Sequence, residues 1–338
     1  MQQADTIMHY SCRNKRLHKL DYYLSAFFRG VWARQRASAR IAKAMRRYHD
    51  APEQERAYID QRVNYYNRLR EGFDAGPAES VVSHYRRGKS WAYHLDFKPL
   101  VSCFPGNYRF DELFGDVVHV PERPTFVKSR PIREDGSNAN SVLLKLNRLR
   151  HYYMPRDPVP FDRKKPMAVW RGKAFREKRE RFVESCFANP LCDVGDVRKS
   201  QRGKPWYRPF MSVQQQLDYR YVLSVEGKDV ATNVKWIMAS NSACVMAPPK
   251  FETWFMEGKL TPGKHYIALR EDYADLDEKL HYYNENTDAL YAIVQNANAY
   301  TAQFMDEERE FLIGLLVMDK YFRCAGYPSV LGLGDRCG

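Results

Sequence analysis

Apolar and polar positions follow two different patterns along this chain, and the first of them is helical. In residues 14–48, apolar side chains recur every three or four positions among arginines and lysines, which predicts a basic amphipathic helix. Residues 52–72 are polar and helix-prone as well. The pattern therefore predicts a basic helical N-terminal region over residues 1–75.

The basic amphipathic segment is compatible with two environments. Its apolar stripe could lie on an anionic lipid surface, with the arginines and lysines among the headgroups. The same stripe could instead pack on the protein's own core and leave the cations in water. The pattern by itself leaves both interpretations open.

Short strand-like runs replace the helical pattern after the turn-forming sequence GPAES at residues 76–80. The runs DVVHV and PTFVKS, separated by prolines, predict a sheet-containing region, and YHLD also reads as a strand end. The sequence REDGSNANS predicts a loop, and VLLKLNRLRHYY has helical periodicity. The Pro-rich, charged residues 155–166 are typical of a connection between domains.

Strands and helices alternate in the second half of the chain. The order strand, helix, strand is typical of a parallel sheet with crossover helices. Residues 273–322 are mostly helical in pattern. The predicted strands are residues 168–172, 219–227 and 243–247, and the predicted helices between them are residues 176–187 and 234–240.

Length and charge narrow the class of protein without choosing a partner. A chain of 338 residues is longer than one hydrophobic core usually supports, so two domains are expected. The 54 lysines and arginines exceed the 41 aspartates and glutamates, which gives a net charge of +13 and favours anionic partners. Nucleic acid, an anionic membrane, a phosphorylated glycolipid and a nucleotide are all compatible with that charge.

Cysteine usage and hydropathy point to an intracellular protein. The seven cysteines include no CxxC pair, so we expect reduced, structural thiols rather than a zinc or redox motif. No apolar run approaches the ~20 residues that a membrane span needs, and the first ten residues contain no apolar core of a signal peptide. We therefore expect a cytoplasmic protein.

Two strand-to-helix turns are candidate anion sites. Ligands of open parallel sheets bind at the carboxyl ends of the strands, where helix N-termini present unpaired N–H groups. In WRGKAFREKR, Gly172 allows close backbone approach beside cationic side chains, and in VEGKDVATNVKW either Thr232 or Asn233 is expected to cap the helix while Lys235 reaches a diphosphate or ribose. Neither sequence is a GxGxxG or GxxxxGK[ST] motif, so an ordinary capped helix with solvated cations is also compatible. The cations of the first turn are Arg171, Lys173, Arg176 and Arg179.

Three aspartates are candidates for a general base. Asp96, Asp111 and Asp116 each lie at or near a predicted strand end, where a carboxylate could accept a proton from an attacking hydroxyl. The DxD formed by Asp275 and Asp277 reads instead as a helix start with dipole-favoured carboxylates. The nine histidines show no metal-ligand pairing, so no metal site is expected.

Three separated motifs resemble glycosyltransferase family 90. They are PTFVKSRPI at residues 124–132, WRG at 170–172 and the long block that begins SVEGKDVATNVKW, and they occur in the same order within residues 93–316. The resemblance is greatest to the bacterial lipopolysaccharide-core branch, whose relatives include protein O-glucosyltransferases and capsule-associated proteins. It implies an α/β, GT-B-like fold in which two Rossmann-like domains, residues 76–165 and 166–305, face a cleft. A helical N-terminal extension and a C-terminal helix and tail, residues 306–338, would complete the chain.

The same resemblance implies which residues act. Arg179 matches the family's diphosphate-contacting arginine, whereas Lys173 stands where the protein O-glucosyltransferases have a donor-contacting serine. The family's Ser-Phe-Arg at the donor-receiving helix start reads Ala231, Thr232 and Asn233 here, and Lys235 could supply the missing cation. Asp116 matches the general base, with Asp96 as its rival. The full set of expected donor-binding residues is Arg171, Gly172, Lys173, Arg179, Gly227, Val230, Ala231, Thr232, Asn233 and Lys235.

The expected function is therefore inverting, metal-independent transfer of a hexose, glucose or galactose, from a UDP-sugar to a lipopolysaccharide core acceptor. The basic N-terminal segment would hold the enzyme peripherally on the inner face of the plasma membrane. A xylosyl or protein O-glycosyl transferase of the same fold is one alternative. A basic nucleic-acid-binding protein that uses residues 34–47 and several tyrosines is the alternative of another class.

Overall fold

The computed structural model describes residues 19–25, 35–88, 90–334 and 337. Residues 19–25 are helical. The remaining helices are α1 (Ala37–Asp50), α2 (Glu53–Tyr66), α3 (Trp91–Val101), α4 (Arg148–His151), α5 (Glu177–Cys186), α6 (Val213–Gln216), α7 (Val234–Met238), α8 (Leu276–Glu285), α9 (Thr287–Ala302) and α10 (Glu307–Cys324). The strands are β1 (Ser80–Val81), β2 (Arg109–Phe110), β3 (Glu112–Leu113), β4 (Thr125–Val127), β5 (Ser129–Pro131), β6 (Ser141–Leu143), β7 (Lys165–Gly172), β8 (Cys192–Asp196), β9 (Tyr219–Leu223), β10 (Ala243–Met246), β11 (Phe251–Thr253) and β12 (Ile267–Ala268).

The described residues divide into two compact units. Unit A contains residues 150–249 and 257–303. Unit B contains the described residues of 19–149, 250–256 and 304–338. The basic helical N-terminal region (1–75) and the C-terminal helix and tail (306–338) are, where described, parts of unit B.

Unit A is built on a five-stranded sheet in which every neighbouring pair is parallel, in the order β8-β7-β9-β10-β12. Strand β10 is buried along its whole length, as expected for a strand covered on both faces. The core joins Trp170 of β7 to Phe182 of α5 and Ile293 of α9. The predicted alternation of strands and helices over residues 168–247 is thus confirmed, although β9 ends four residues earlier than predicted.

Unit B combines small sheets with long helices. Strands β3, β4 and β6 form a parallel sheet, and β1 with β2 and β5 with β11 form antiparallel pairs. Helix α10 is buried along most of its length and packs on α1, α2 and α3. Arg62 of α2 and Glu310 of α10 form an ion pair in which both side chains are only 2% exposed. The predicted C-terminal helix is therefore confirmed as a central element of this unit.

Three predictions within unit B are wrong. The run DVVHV, residues 116–120, is a loop, and its backbone pairs with no strand of the described chain. Residues 91–101 form a helix and not a strand end, because Ala92, Phe97 and Leu100 are spaced to bury one helical face. The run VLLKLNRLRHYY contains the end of β6 and only four helical residues.

The cysteines also depart from expectation at one position. Cys324 and Cys337 form a disulfide, which closes the chain beyond α10. Four other cysteines, at 103, 186, 192 and 244, are buried and reduced as expected. Cys12 lies outside the described residues, as do residues 14–18 and 26–34 of the predicted amphipathic segment at 14–48. Across the described ranges, no helix combines the length and apolar character that crossing a membrane requires.

Candidate active site

The strand order of unit A marks one position along its sheet. Strand β8 lies on one side of β7, and β9, which comes later in the chain, lies on the other side. The strand order therefore reverses at this point, because the chain places β8 on one side of β7 and then places β9 on the other side. In open α/β sheets, ligands bind at such a switch point, outside the carboxyl ends of the strands. Here those ends are Gly172 and Leu223.

Arg179 of α5 reaches across this switch point to the segment after β9. Its Nε and Nη2 donate hydrogen bonds to the carbonyl oxygen of Val225, at 3.1 and 2.8 Å. The guanidinium also lies against Gly227. Of the carboxylates in the described chain, none lies within 4 Å of this guanidinium as an ion-pair partner. The arginine predicted to bind a diphosphate is thus held in place by a neutral carbonyl. No carboxylate in the described chain neutralises its positive charge by forming an ion pair with it.

The charges around Arg179 are mixed. Burial lowers the pKa of Arg179, the positive charge of Arg150 lowers it further, and Tyr273 and Asp229 act in the opposite direction. Arg150 is exposed and belongs to the same unit. An anion bound between these two cations would relieve both the desolvation and the repulsion. Arg150 is not predictable as a site residue from its sequence context, because it lies in a run with ordinary helical periodicity.

The segment between β9 and α7 is held in place by burial of its apolar residues and by its own hydrogen bonds. Val230 and Ala231 are buried, and Asn233 donates from Nδ2 to the carbonyl oxygen of Leu223 at 3.0 Å. The hydroxyl of Ser224 donates to Asn233 Oδ1 at 2.8 Å. Asn233 precedes α7 but makes no capping hydrogen bond to it, so Asn233 is not the predicted cap. Because α7 has only five residues, few peptide dipoles are aligned there, and a bound phosphate would depend mainly on side-chain cations.

Lys235 does not supply the cation that the resemblance leaves missing. Its side chain is fully buried, and its Nζ lies 2.6 Å from Glu257 Oε1, which is itself 1% exposed. The position on α7 directs the lysine into the fold of unit A. The prediction that Lys235 contacts a diphosphate or ribose is therefore corrected: the residue forms an internal ion pair.

Arg171, like Lys235, forms an ion pair within the protein. Its side chain is 5% exposed and forms an ion pair with Asp193 of β8, whose carbonyl it also contacts at 2.6 Å. Burial raises the pKa of Asp193, but hydrogen bonds from Tyr219 and Arg171 outweigh that effect and lower it overall. The charge of Arg171 is thus neutralised within the sheet, by a carboxylate of the neighbouring strand β8. A donor contact from Arg171 is not supported by this geometry.

Two residues at the end of β7 keep a surface position. Gly172 lies against the ring of Trp170, so that a Cβ at this position would come within 2.6 Å of a ring carbon. The glycine is therefore required by packing, which is a reason independent of any ligand. Lys173 is exposed, with its Nζ 5.6 Å from the ring centroid of Phe175. Thr232 is half-buried in the segment before α7.

The two rival bases have different surroundings in unit B. Asp116 lies in the loop after β3 with 44% of its side chain exposed, and its Oδ1 accepts a hydrogen bond from the buried Lys128 at 2.8 Å. Asp96 lies within α3, where its two oxygens accept from the Tyr22 hydroxyl at 2.9 Å and from the Arg148 backbone N–H at 2.8 Å. Asp116 is therefore accessible to a solute, whereas Asp96 serves to join three segments.

The other acidic candidates have structural partners. Asp111 accepts a hydrogen bond from the backbone of Glu79 at 2.9 Å. Asp275 accepts from the backbone of Arg270, and Asp277 accepts from Asn189, so the two members of the DxD face different partners. Within the part of the chain that the structure describes, no three His, Cys, Asp or Glu side chains are grouped to hold a metal ion. Metal-independent transfer stays a prediction.

Comparisons with known proteins agree on one family. The sequence profile of glycosyl transferase family 90 matches residues 147–324. The chain is 45% identical over 309 residues to O-glucosyltransferase LpsA of Dichelobacter nodosus, which covers 91% of this chain and 96% of that protein. It is also 25% identical over 163 residues to protein O-glucosyltransferase 3 of Homo sapiens, which covers 46% of this chain and 31% of the human protein. The rat protein of the same name matches to the same extent.

Proposed function

Because the chain belongs to glycosyl transferase family 90, we propose that it transfers glucose from a UDP-sugar to a lipopolysaccharide core acceptor. That the protein is a glycosyltransferase follows from the family; the sugar, the donor and the acceptor are the proposal. The bacterial and the mammalian relatives are both named O-glucosyltransferases, which supports glucose over galactose. The resemblance to the lipopolysaccharide-core branch supports the acceptor.

The position of Arg179 is the observation that supports the proposed binding of a UDP-sugar donor. Its guanidinium lies at the switch point of the parallel sheet, is held by the Val225 carbonyl, and has Arg150 as a second cation nearby. A diphosphate requires positive charge that is already oriented before the reaction, since fixed donors stabilise a developing charge without reorganising. Arg179 meets that requirement, and Gly227 leaves room beside it.

The proposed chemical step assigns Asp116 as the general base. The carboxylate takes the proton of the acceptor hydroxyl while the hydroxyl oxygen attacks the anomeric carbon from the face opposite the nucleotide. The bond between the anomeric carbon and the phosphate oxygen breaks, and its electron pair leaves with UDP. Arg179 stabilises the negative charge gained by the departing phosphate. Attack from the opposite face gives inversion at the anomeric carbon.

Three further parts of the proposal come from the resemblance. They are a GT-B-like arrangement of the fold, transfer that requires no metal ion, and peripheral association with an anionic membrane. The parallel sheet of unit A supports the first of these only at the level of an α/β fold.

A protein acceptor is the second candidate. It is favoured by the match to human protein O-glucosyltransferase 3, although that match covers less than half of this chain. The chemistry at the donor would be unchanged, so only the acceptor distinguishes the two proposals.

Calorimetric titration in EDTA tests the donor side. The wild-type protein is titrated with UDP, UDP-glucose, UDP-galactose and UDP-xylose, and we expect binding of UDP and UDP-glucose without added metal. Radiolabelled transfer from UDP-glucose is then measured to a lipopolysaccharide core oligosaccharide and to a folded protein acceptor. Absence of binding by every uridine nucleotide, with or without added metal, would overturn the donor assignment, and transfer to the protein acceptor alone would replace the first proposal by the second.

A further inference from the structure

One loop of unit A is strongly basic. It connects β8 to α6 and comprises residues 197–212. Over that length the sequence contains five cations and no carboxylate. The cations are Arg198, Lys199, Arg202, Lys204 and Arg208.

The loop is folded back onto the sheet. The backbone N–H of Asp196 donates to the Trp206 carbonyl at 3.1 Å, and the N–H of Arg208 donates to the Asp196 carbonyl at the same distance. The Trp206 ring packs edge-on against Phe187, with 5.9 Å between ring centroids. The stem of Arg208 lies directly over Gly195. These contacts fix the loop on the sheet, so that its exposed side chains form a defined surface.

Three exposed cations on this surface lack an acidic neighbour. Arg198 is paired with Asp196 at 2.6 Å and with Glu180 at 3.0 Å. Lys199, Arg202 and Lys204 are exposed, and no carboxylate in the described ranges comes within 4 Å of any of them. Their charges therefore add to one another without local neutralisation.

Exposed phenylalanines accompany these cations. Phe210, in the same loop, is 78% exposed. Phe175, in the turn after β7, is 64% exposed, and its ring lies 5.3 Å from the Arg198 guanidinium. A single exposed apolar side chain is ordinary, but two exposed rings within and beside a loop that contains five cations are typical of an interaction surface.

We propose that this basic-aromatic surface, the 197–212 loop together with Phe175, docks onto an anionic phospholipid bilayer. Lysines and arginines near such a bilayer are attracted by its negative surface potential, and phenylalanine rings enter the boundary between headgroups and acyl chains. The rings that carry polar groups, Trp206 and Tyr207, are half-buried against the fold. The two exposed rings are purely apolar, which favours a lipid boundary over recognition of nucleic-acid bases.

The surface uses other residues than the basic segment at 14–48 and the set assigned to the donor. It borders the donor set, because the N–H of Val197 donates to the Gly172 carbonyl at 3.0 Å and the Nζ of Lys173 lies 5.6 Å from the Phe175 ring centroid. Docking of this surface onto a membrane does not depend on which sugar the enzyme transfers. Transfer to a water-soluble core oligosaccharide measures the proposed activity without a membrane, so the two proposals can fail independently.

The test is flotation of the full chain with vesicles of phosphatidylglycerol and phosphatidylcholine, compared with vesicles of phosphatidylcholine alone. We compare the wild type with a triple variant, Lys199→Gln, Arg202→Gln and Lys204→Gln, and with Phe210→Ala. A matched triple variant, Arg163→Gln, Lys259→Gln and Lys264→Gln, removes the same charge from exposed positions elsewhere in unit A. Tyr282→Ala removes another exposed ring.

We expect the wild type to float only with the anionic vesicles. The loop triple variant should bind roughly 100-fold more weakly, and Phe210→Ala about tenfold more weakly. The matched triple variant and Tyr282→Ala should bind within about threefold of the wild type. All variants should keep the wild-type circular dichroism spectrum and the activity on the soluble acceptor.

Three outcomes would overturn the proposal. In the first, the wild type does not float with anionic vesicles. In the second, the loop and matched triple variants lose equal affinity, which would assign binding to net charge alone. In the third, the loop triple variant loses affinity for single-stranded RNA while its vesicle binding is unchanged, which would make the surface a nucleic-acid site.

Discussion

The guanidinium of Arg179 lies so close to Gly227 that a methyl group on the glycine would be 3.3 Å from Nη2 and 3.4 Å from Cζ. This contact joins helix α5 to the segment after β9. It fixes where the cation lies relative to the carboxyl ends of β7 and β9. The proposed diphosphate site is therefore defined by a side chain from the crossover between β7 and β8 and by the backbone of the crossover between β9 and β10.

Replacement of Arg179 by alanine should weaken UDP binding and lower the rate of transfer on the order of 10²-fold, because one fixed donor to the developing charge is lost. Arg181→Ala is the matched control, since Arg181 lies on the same helix but is 77% exposed and pairs with Glu177. Calorimetry with UDP and a turnover assay measure the two effects. Equal behaviour of the two variants would remove Arg179 from the donor site.

Gly227→Ala should weaken UDP binding about tenfold through displacement of the guanidinium, because 3.3 Å is tighter than a methyl contact normally allows. The contacted atoms are the far end of a flexible side chain, so the free energy of unfolding should change by less than about 1 kcal/mol. Urea unfolding and UDP titration separate the two effects. Wild-type UDP affinity in this variant would show that the position of the guanidinium is not critical.

Asp116→Asn should lower kcat by about 10²- to 10⁴-fold, because an amide cannot accept the acceptor's proton. UDP affinity should stay within about twofold of the wild type, since Asp116 is assigned to proton transfer only. Asp96→Asn is the informative comparison. It removes a carboxylate that accepts from Tyr22 and Arg148, so it should lower stability more than kcat. The reverse result would make Asp96 the base.

The sequence pattern predicts unit A well because its strands are buried on both faces. The run ACVM of β10 contains no charged residue and ends at turn-forming residues, so its character as a central strand is visible directly. Strand β8, CDVGD, was missed because only Cys192 and Val194 are apolar, and its charge on Asp193 is balanced by Arg171 from the adjacent strand. Such balance depends on which strands are neighbours, and that is a tertiary property.

The residues of the candidate site also differ in how far the sequence could predict their roles. Arg179 was identified through the resemblance, and its position at the switch point is consistent with that assignment. Lys235 and Arg171 could not be judged from the sequence, because a lysine that faces Glu257 and one that faces a ligand have the same local pattern. For Asp96, the helical spacing of Phe97 and Leu100 is present in the sequence, but the run YHLD also favours a strand end, and the helix is the structure that forms.

The buried pair of Lys235 and Glu257 gives a stability prediction. Lys235→Met should lower the free energy of unfolding by about 3–5 kcal/mol, because it leaves Glu257 buried without its cation. The double variant Lys235→Met with Glu257→Leu should recover much of that loss, since two apolar side chains replace two desolvated charges. Urea unfolding measures both, with the exposed Lys264→Met as control. A single variant as stable as the wild type would contradict the pairing.

Glu112 gives a pH prediction for unit B. Burial raises the pKa of Glu112 from about 4.5 to about 7. Between these values the unfolded chain loses the proton while the folded chain keeps it, so stability should fall as pH rises through this window and level off above about 7. Glu112→Gln should remove that part of the pH dependence and be more stable than the wild type at about pH 8.

Unfolding by urea at several pH values compares this variant with the exposed Glu122→Gln. Glu122→Gln should follow the wild-type curve throughout. Parallel curves for Glu112→Gln and the wild type would show that the carboxyl of Glu112 titrates equally in the folded and unfolded chains.

The division of unit B into separate chain segments has a consequence for biosynthesis. Strand β5 pairs with β11, and Arg62 is neutralised by Glu310, which is translated 248 residues later. Unit A, in contrast, has all its strands once residue 268 has left the ribosome. The half of the protein that is translated first therefore finishes folding last, because its helices α2 and α3 must wait for α10. Nascent chains stalled before residue 304 should hold unit A as a protease-resistant fragment while residues 35–149 are still digested.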